Sequence, residues 1–280
     1  MNRLHIPNYN FQITLLGGQA FGWDFDPKKN EYFGITNTRA IRIKIVDSEN
    51  ILWQTYPVKD DFAFLSNYLN LNIDYLKILK SLPNDEYLNK AKEKYLGLRL
   101  LNQDFEEALL SYICSSNKSI KGIRYSVRLL AKKYGEKIDV EGVEKHLFPK
   151  STVIAESSLE NLLETKIGFR AKYLKDTSER LVNTNIRNEI LSSDYPQAKA
   201  LLKSLKGVGD KVADCVCVYS LNHSHITPLD ILGKRFLINY YNLDEKMSYE
   251  DMSKWVIQYF KGNAGIAGQM LFEYIRSEGV

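Results

Sequence analysis

Two glycines bracketing one valine, Gly207-Val208-Gly209, constrain this chain more than any other feature. They separate two apolar-periodic segments, and so short a break can join two helices only through a tight hairpin. The pattern predicts a first helix over 197–204, opened by Pro196, and a second beginning at Lys211 with Asp210 as its N-cap. Backbone N–H groups at such a helix start attract an anion, and a phosphate is the obvious one. Further on, Thr227-Pro228-Leu229-Asp230 sets a carboxylate after a proline, with Asp230 as the expected cap of a helix over 231–241. One short region therefore holds a phosphate cradle, an amine and a carboxylate.

That arrangement resembles the helix-hairpin-helix DNA glycosylases. The stretch Gly207-Val208-Gly209-Asp210-Lys211-Val212-Ala213-Asp214-Cys215 is most similar to their 8-oxoguanine branch. The resemblance implies that Lys211 is the Schiff-base lysine and Asp230 the catalytic aspartate. It also implies that the backbone at Gly207, Gly209 and Val212 contacts DNA. Lys211 could attack C1′ of a sugar if its amine is neutral, and both desolvation and the positive end of its own helix disfavour the ammonium form. The resulting imine would allow strand cleavage by β-elimination. Asp230 would stabilise the developing positive charge and orient the lysine. As a helix cap alone, Asp230 would need no such role; capping and catalysis are compatible.

Three more segments carry the resemblance. Gly17-Gly18-Gln19-Ala20-Phe21-Gly22-Trp23 reads on its residues as a turn or bulge. In the family it would bring the Gly18 carbonyl to the N7 hydrogen that 8-oxoguanine has and guanine lacks. Cys114-Ser115-Ser116-Asn117 reads equally as a helix end, or as the segment whose asparagine, Asn117, fills the gap left by a flipped base. Gly168-Phe169-Arg170-Ala171-Lys172-Tyr173 is either a solvated helix or a wedge. In the second reading Phe169 presses on the duplex and Arg170 reaches the partner base or a phosphate. The family's base pocket would fall on Gly18, Pro228, Phe272 and Cys215, the last on the same helix face as Lys211. Without the resemblance, a core role is the default for Cys215 and Phe272.

Four positions depart from the commoner eukaryotic form. Gly268 stands where a base-edge glutamine is expected, although Gln269 is adjacent, and Gly122 replaces an arginine that recognises the cytosine opposite the lesion. Phe169 replaces a tyrosine and Leu232 a phosphate-binding histidine. The loss at Gly122 implies relaxed discrimination of the opposite base.

Composition narrows the alternatives. Three cysteines, Cys114, Cys215 and Cys217, cannot supply the four thiolates of an iron–sulfur cluster, and they suit a reducing compartment. His223 and His225 read as solvated loop residues rather than ligands, so no metal or cofactor is implied. A net charge of +4 with pI near 8.7 permits nucleic-acid binding without demanding it. No apolar run reaches membrane-spanning length and the start of the chain is not a signal peptide.

Strand-like alternation over 10–56, including 11–15, predicts about five antiparallel strands, and helical periodicity takes over from Asp60. The expected class is α+β: an N-terminal antiparallel sheet domain over 1–97, packed on a mainly helical helix-hairpin-helix glycosylase domain over 98–280. The expected protein is a bacterial, cytoplasmic or nucleoid-associated monomer acting on double-stranded DNA that contains 8-oxoguanine, as a glycosylase and abasic-site lyase. The alternatives are a glycosylase for another damaged purine, such as an alkylated base, and a non-catalytic helix-hairpin-helix DNA-binding protein.

Overall fold

The computed structural model describes residues 1–279. β1 (Asn2–His5) opens the chain and α1 (Phe11–Leu16) follows. β2 (Trp23–Asp26), β3 (Glu31–Ile35), β4 (Ala40–Ile45) and β5 (Asn50–Tyr56) form successive antiparallel hairpins. β1 returns to pair with β5, so the sheet order is β1-β5-β4-β3-β2. The sheet has the five strands expected, but one differs. Residues 11–15 are helical: Asn10 accepts the Ile13 N–H at 3.2 Å, and the buried positions Phe11, Thr14 and Leu15 have helical spacing. The remaining strand lies instead in the polar start of the chain.

α2 (Phe62–Tyr68) and α1 help to cover the sheet, where Leu15, Trp23, Ile41, Ile43, Ile51 and Leu65 are wholly buried. α3 (Tyr75–Ser81) and α4 (Glu86–Lys94) come next, and their Tyr75, Leu88 and Ala91 join the helical core rather than this one. That core is organised by α5 (Phe105–Ile113), capped by Asp104, in which all but one residue is buried. α6 (Ile120–Tyr134) leads into a small hairpin, β6 (Lys137–Val140) and β7 (Val143–His146). Ile138, Val140 and Leu147 of this segment pack with Ala40 and Tyr56 of the main sheet. At the hairpin tip Glu141 accepts the Tyr56 hydroxyl at 2.8 Å and pairs with Arg42, tying the helical part to the strands.

α7 (Ser151–Glu156), α8 (Leu159–Leu163), α9 (Arg170–Asn183) and α10 (Ile186–Leu191) wrap the other side. α11 (Tyr195–Lys203) and α12 (Asp210–Ser220) form the predicted helical hairpin. α13 (Ile231–Tyr241), α14 (Tyr249–Tyr259) and α15 (Ala264–Glu278) complete the fold, which is α+β. Every residue of α12 from Val212 to Tyr219 is buried. A helix apolar on all sides must sit inside a bundle, and α12 packs beside α5, so its first turn is held at a fixed point. No helix among the described residues is long and apolar enough to cross a membrane.

Candidate active site

The hairpin turns as its glycines require. Gly207 has φ +81°, and a Cβ there would lie 2.7 Å from Tyr173 of α9, so a side chain is excluded twice over. Val208 is buried and plugs the apex. Gly209, not Asp210, is the N-cap of α12, and Asp210 is its first helical residue. The carboxylate of Asp210 turns to Lys203 at 2.6 Å instead of capping. No side chain caps α12, and a Cβ on Gly209 would meet nothing within 4 Å. The helix therefore starts with uncommitted N–H groups facing open space, as an anion site requires.

Beside it opens a cavity of about 750 Å³ lined by both Lys211 and Asp230. The Lys211 Nζ lies 5.1 Å from the centroid of the Tyr112 ring, which stacks on Tyr219 at 5.8 Å. A cation over an aromatic face is attracted by the ring's quadrupole, so the amine is placed without a carboxylate to neutralise it. Asp230 caps α13, accepting the Gly233 N–H at 2.8 Å. Its loop is anchored from behind: the Leu229 N–H donates to the Tyr249 hydroxyl at 3.1 Å, and that hydroxyl donates to Asp214 at 2.6 Å. Asp214 is fully buried and also takes bonds from Tyr195 at 2.9 Å and Lys199 at 3.1 Å. Burial pushes its carboxyl upward, opposed by Lys199 and the tyrosine hydroxyls.

The expected base pocket assembles here. Gly18, Cys215, Pro228 and Phe272 all line the cavity. Gly18 has φ +97°, and a Cβ there would strike Ile120 at 2.9 Å and lie 3.9 Å from Phe272. The following residue, Gln19, is immobilised: its carbonyl accepts from Gln103 at 2.7 Å and Tyr112 at 2.8 Å. Its side chain bridges the Leu101 N–H and the Arg99 carbonyl. Burial pushes the Cys215 thiol up to about 11, with Lys211 opposing, so it forms a neutral wall.

Asn117, Gly207, Gly209 and Val212 also border the cavity. Asn117 has φ +47°, a conformation asparagine tolerates better than most residues. Phe169 and Arg170 stand apart from it. Phe169 is 56% exposed, as a wedge would be. Arg170 is turned inward instead: it is buried, it donates to the Ile167 carbonyl at 3.1 Å, and its guanidinium lies over the Phe169 ring. His225 packs edge-on to Tyr195 and to His223, His223 is tilted against Tyr195, and both histidines are half-buried. Sequence reasoning missed Tyr112 and Tyr249, which lie in ordinary helices with no local signal to set them apart, and it gave no role to Thr227 of the Thr227–Asp230 stretch.

Residues 3–109 match the family model for the N-terminal domain of 8-oxoguanine DNA glycosylase. The N-glycosylase/DNA lyase of Saccharomyces cerevisiae is 30% identical over 262 residues, covering 84% of this chain and 69% of that protein. The chain belongs to the 8-oxoguanine DNA glycosylase family. Clostridium acetobutylicum 8-oxoguanine glycosylase/lyase has been solved free and with double-stranded DNA containing cytosine opposite 8-oxoG. The free form is 30% identical with a TM-score of 0.87, covering 96% of this chain and 94% of that one. The DNA complex is 29% identical with a TM-score of 0.89, covering 98% and 94%.

Within this family the departures acquire structural content. A Cβ on Gly122 would lie 3.1 Å from the Lys118 side chain, whose ammonium is held by the Lys166 carbonyl at 2.7 Å and by Ser126. The lysine stem thus lies against position 122, where the resemblance led one to expect an arginine. Leu232, in place of a histidine, is 40% exposed on the cavity rim beside Ile231.

Proposed function

We propose that this chain is a bifunctional DNA glycosylase and abasic-site lyase that removes 8-oxoguanine from duplex DNA in base excision repair. What carries the reading is one cavity lined at once by an amine, a carboxylate and a glycine backbone, next to an uncapped helix start. A base inside duplex DNA cannot reach such a cavity, so the nucleotide is extruded. Its phosphates lie against the N–H groups of the Gly207–Val212 segment, Asn117 fills the vacated stack, and Phe169 presses on the duplex.

The damaged base enters between Phe272 and the Cys215 face of α12, with Pro228 at its side. The Gly18 carbonyl accepts the N7–H that marks the oxidised purine. The Lys211 amine gives up a proton and attacks C1′: a C1′–N bond forms, the C1′–N9 bond breaks, and its electron pair leaves with the base, which takes up a proton. Asp230 stabilises the positive charge that develops on the sugar. Opening of the sugar ring gives an imine on Lys211. Loss of a C2′ proton then expels the 3′ phosphate, and hydrolysis of the imine frees the enzyme. With Gly122 covered by Lys118, the partner base receives no arginine, and opposite-base preference is relaxed.

Borohydride trapping on duplexes that place each of the four bases opposite 8-oxoguanine tests this reading. Wild type is expected to form a covalent adduct with all four at comparable rates, and Lys211→Gln with none. Base release without trapping would refute the lysine mechanism, and a strong cytosine preference would refute the role given to Gly122.

A further inference from the structure

The cavity has a polar group that the chemistry above does not use. A Cβ built on Gly268 of α15 would lie 2.0 Å from Thr227 Oγ1 and 2.7 Å from Thr227 Cβ. Position 268 therefore cannot carry a side chain while 227 is branched, and the Thr227 hydroxyl stands where that side chain would leave the helix. Thr227 is 7% exposed and lines the cavity with Pro228, Leu229 and Phe272, which offer it no polar side chain. Among the described residues its hydroxyl has no hydrogen-bond partner. Gln269, the next residue along, is already committed: its Oε1 accepts the Tyr219 hydroxyl at 2.5 Å and its Nε2 points to Glu273 at 3.5 Å. A hydroxyl that borders the cavity and is uncommitted within the protein is a bonding group that a bound base can engage.

We propose that the Thr227 hydroxyl reads the pairing edge of the extruded base, in place of any side chain at 268; this rests on the glycosylase reading above. A hydroxyl has one donor and two acceptor positions and rotates to suit its partner. It accepts from the N1–H or amino hydrogens of a guanine edge and donates equally to the N1 of an adenine edge. The contact therefore adds affinity without imposing polarity. Selection then falls on the N7–H at Gly18, which oxidised guanine and oxidised adenine share. The substrate class widens to 8-oxopurines.

The experiment compares wild type, Thr227→Val and the exchange Thr227→Gly with Gly268→Gln on duplexes carrying 8-oxoguanine, 8-oxoadenine or a preformed abasic site. Wild type is expected to release both oxidised purines. Thr227→Val is expected to lower release of both about tenfold more than it lowers abasic-site cleavage. The exchange, which installs an amide with fixed donor and acceptor, is expected to recover 8-oxoguanine release and not that of 8-oxoadenine. An unchanged ratio of release to cleavage in Thr227→Val, with wild type still trapped on 8-oxoguanine DNA, would overturn the role of Thr227 alone. Absence of wild-type trapping would overturn the parent reading with it.

Discussion

The cavity has two glycine-bearing edges, built on opposite terms. At Gly17-Gly18 the chain is hemmed in: a Cβ on Gly17 would meet the Ile13 carbonyl at 2.3 Å and the Glu273 carboxylate at 2.6 Å. The next residue, Gln19, has its backbone carbonyl and both ends of its side-chain amide bonded. At Gly207-Val208-Gly209 only the first glycine is packed, and the second opens onto nothing. In the proposed reaction the first edge would tell 8-oxoguanine from guanine by the N7 hydrogen that only the oxidised base carries. The bonds at Gln19 hold the segment next to the proposed Gly18 acceptor, and a carbonyl free to turn would discriminate poorly. On the same proposal the second edge would grip a backbone common to every sequence, with its donors left for a phosphate to bond. Rigidity sits where selection is made, and unmet bonding sits where strength is needed.

The largest expected effect is that of Asp230→Asn, in the cavity that both edges border. Losing the charge is expected to slow base release about 10²–10³-fold while leaving affinity for an 8-oxoguanine duplex nearly intact. Equal loss of binding and release would mean that Asp230 only helps to hold the DNA. Next in size is Gly207→Ala, which forces an alanine into a left-handed backbone against Tyr173. Thermal unfolding should register roughly 3 kcal/mol of lost stability.

On the closed side, Glu273 backs Gly17. Burial raises its pKa from 4.5 to about 6, with Arg276 and Arg124 opposing. A carboxyl whose pKa is higher folded than unfolded contributes stability that is complete below about pH 4.5 and is lost as pH rises through about 6. Glu273→Gln should remove that slope, so wild type loses about 2 kcal/mol relative to the variant between the two limits. Parallel stability curves would show that the closed edge is not strained by this charge. The smallest effect belongs to Gly209→Ala, expected to cost about 0.5 kcal/mol of stability but to weaken DNA binding a few-fold at fixed salt. A stability loss matching that of Gly207→Ala would erase the contrast between the two glycines.

How much of this was legible beforehand follows from the range of the interactions. The helical hairpin, the Asp230 cap and the α5 start were readable, since caps and glycine turns are decided within four or five residues. Residues 11–15 were misread because six helical residues are too few for periodicity to separate a helix from a strand; Asn10 and Gly17 decide it. β1 was overlooked because a polar edge strand exists only through its partner, β5. The β6–β7 hairpin escaped for a similar reason: its apolar residues are few and their core lies on the main sheet.

Lys211, Asp230 and Gly18 could be expected beside one cavity because each sits in a short motif, whereas Phe272 was named only through the family resemblance. Arg170 faces inward because the preceding turn presents the Ile167 carbonyl to its guanidinium, a contact its own segment does not announce. Tyr112 holds the Gln19 carbonyl across 93 positions and sits under Lys211 as well, which only packing reveals.

The three cysteines carry a consequence of their own. Burial lifts the thiols of Cys114 to about 12 and Cys215 to about 11, and raises that of Cys217 further. Peroxide attacks thiolates and largely ignores thiols. A protein proposed to mend oxidised purines would thus carry sulfur in its own pocket in a form that the oxidant responsible for those lesions leaves untouched, and its work would continue through the stress that makes it necessary.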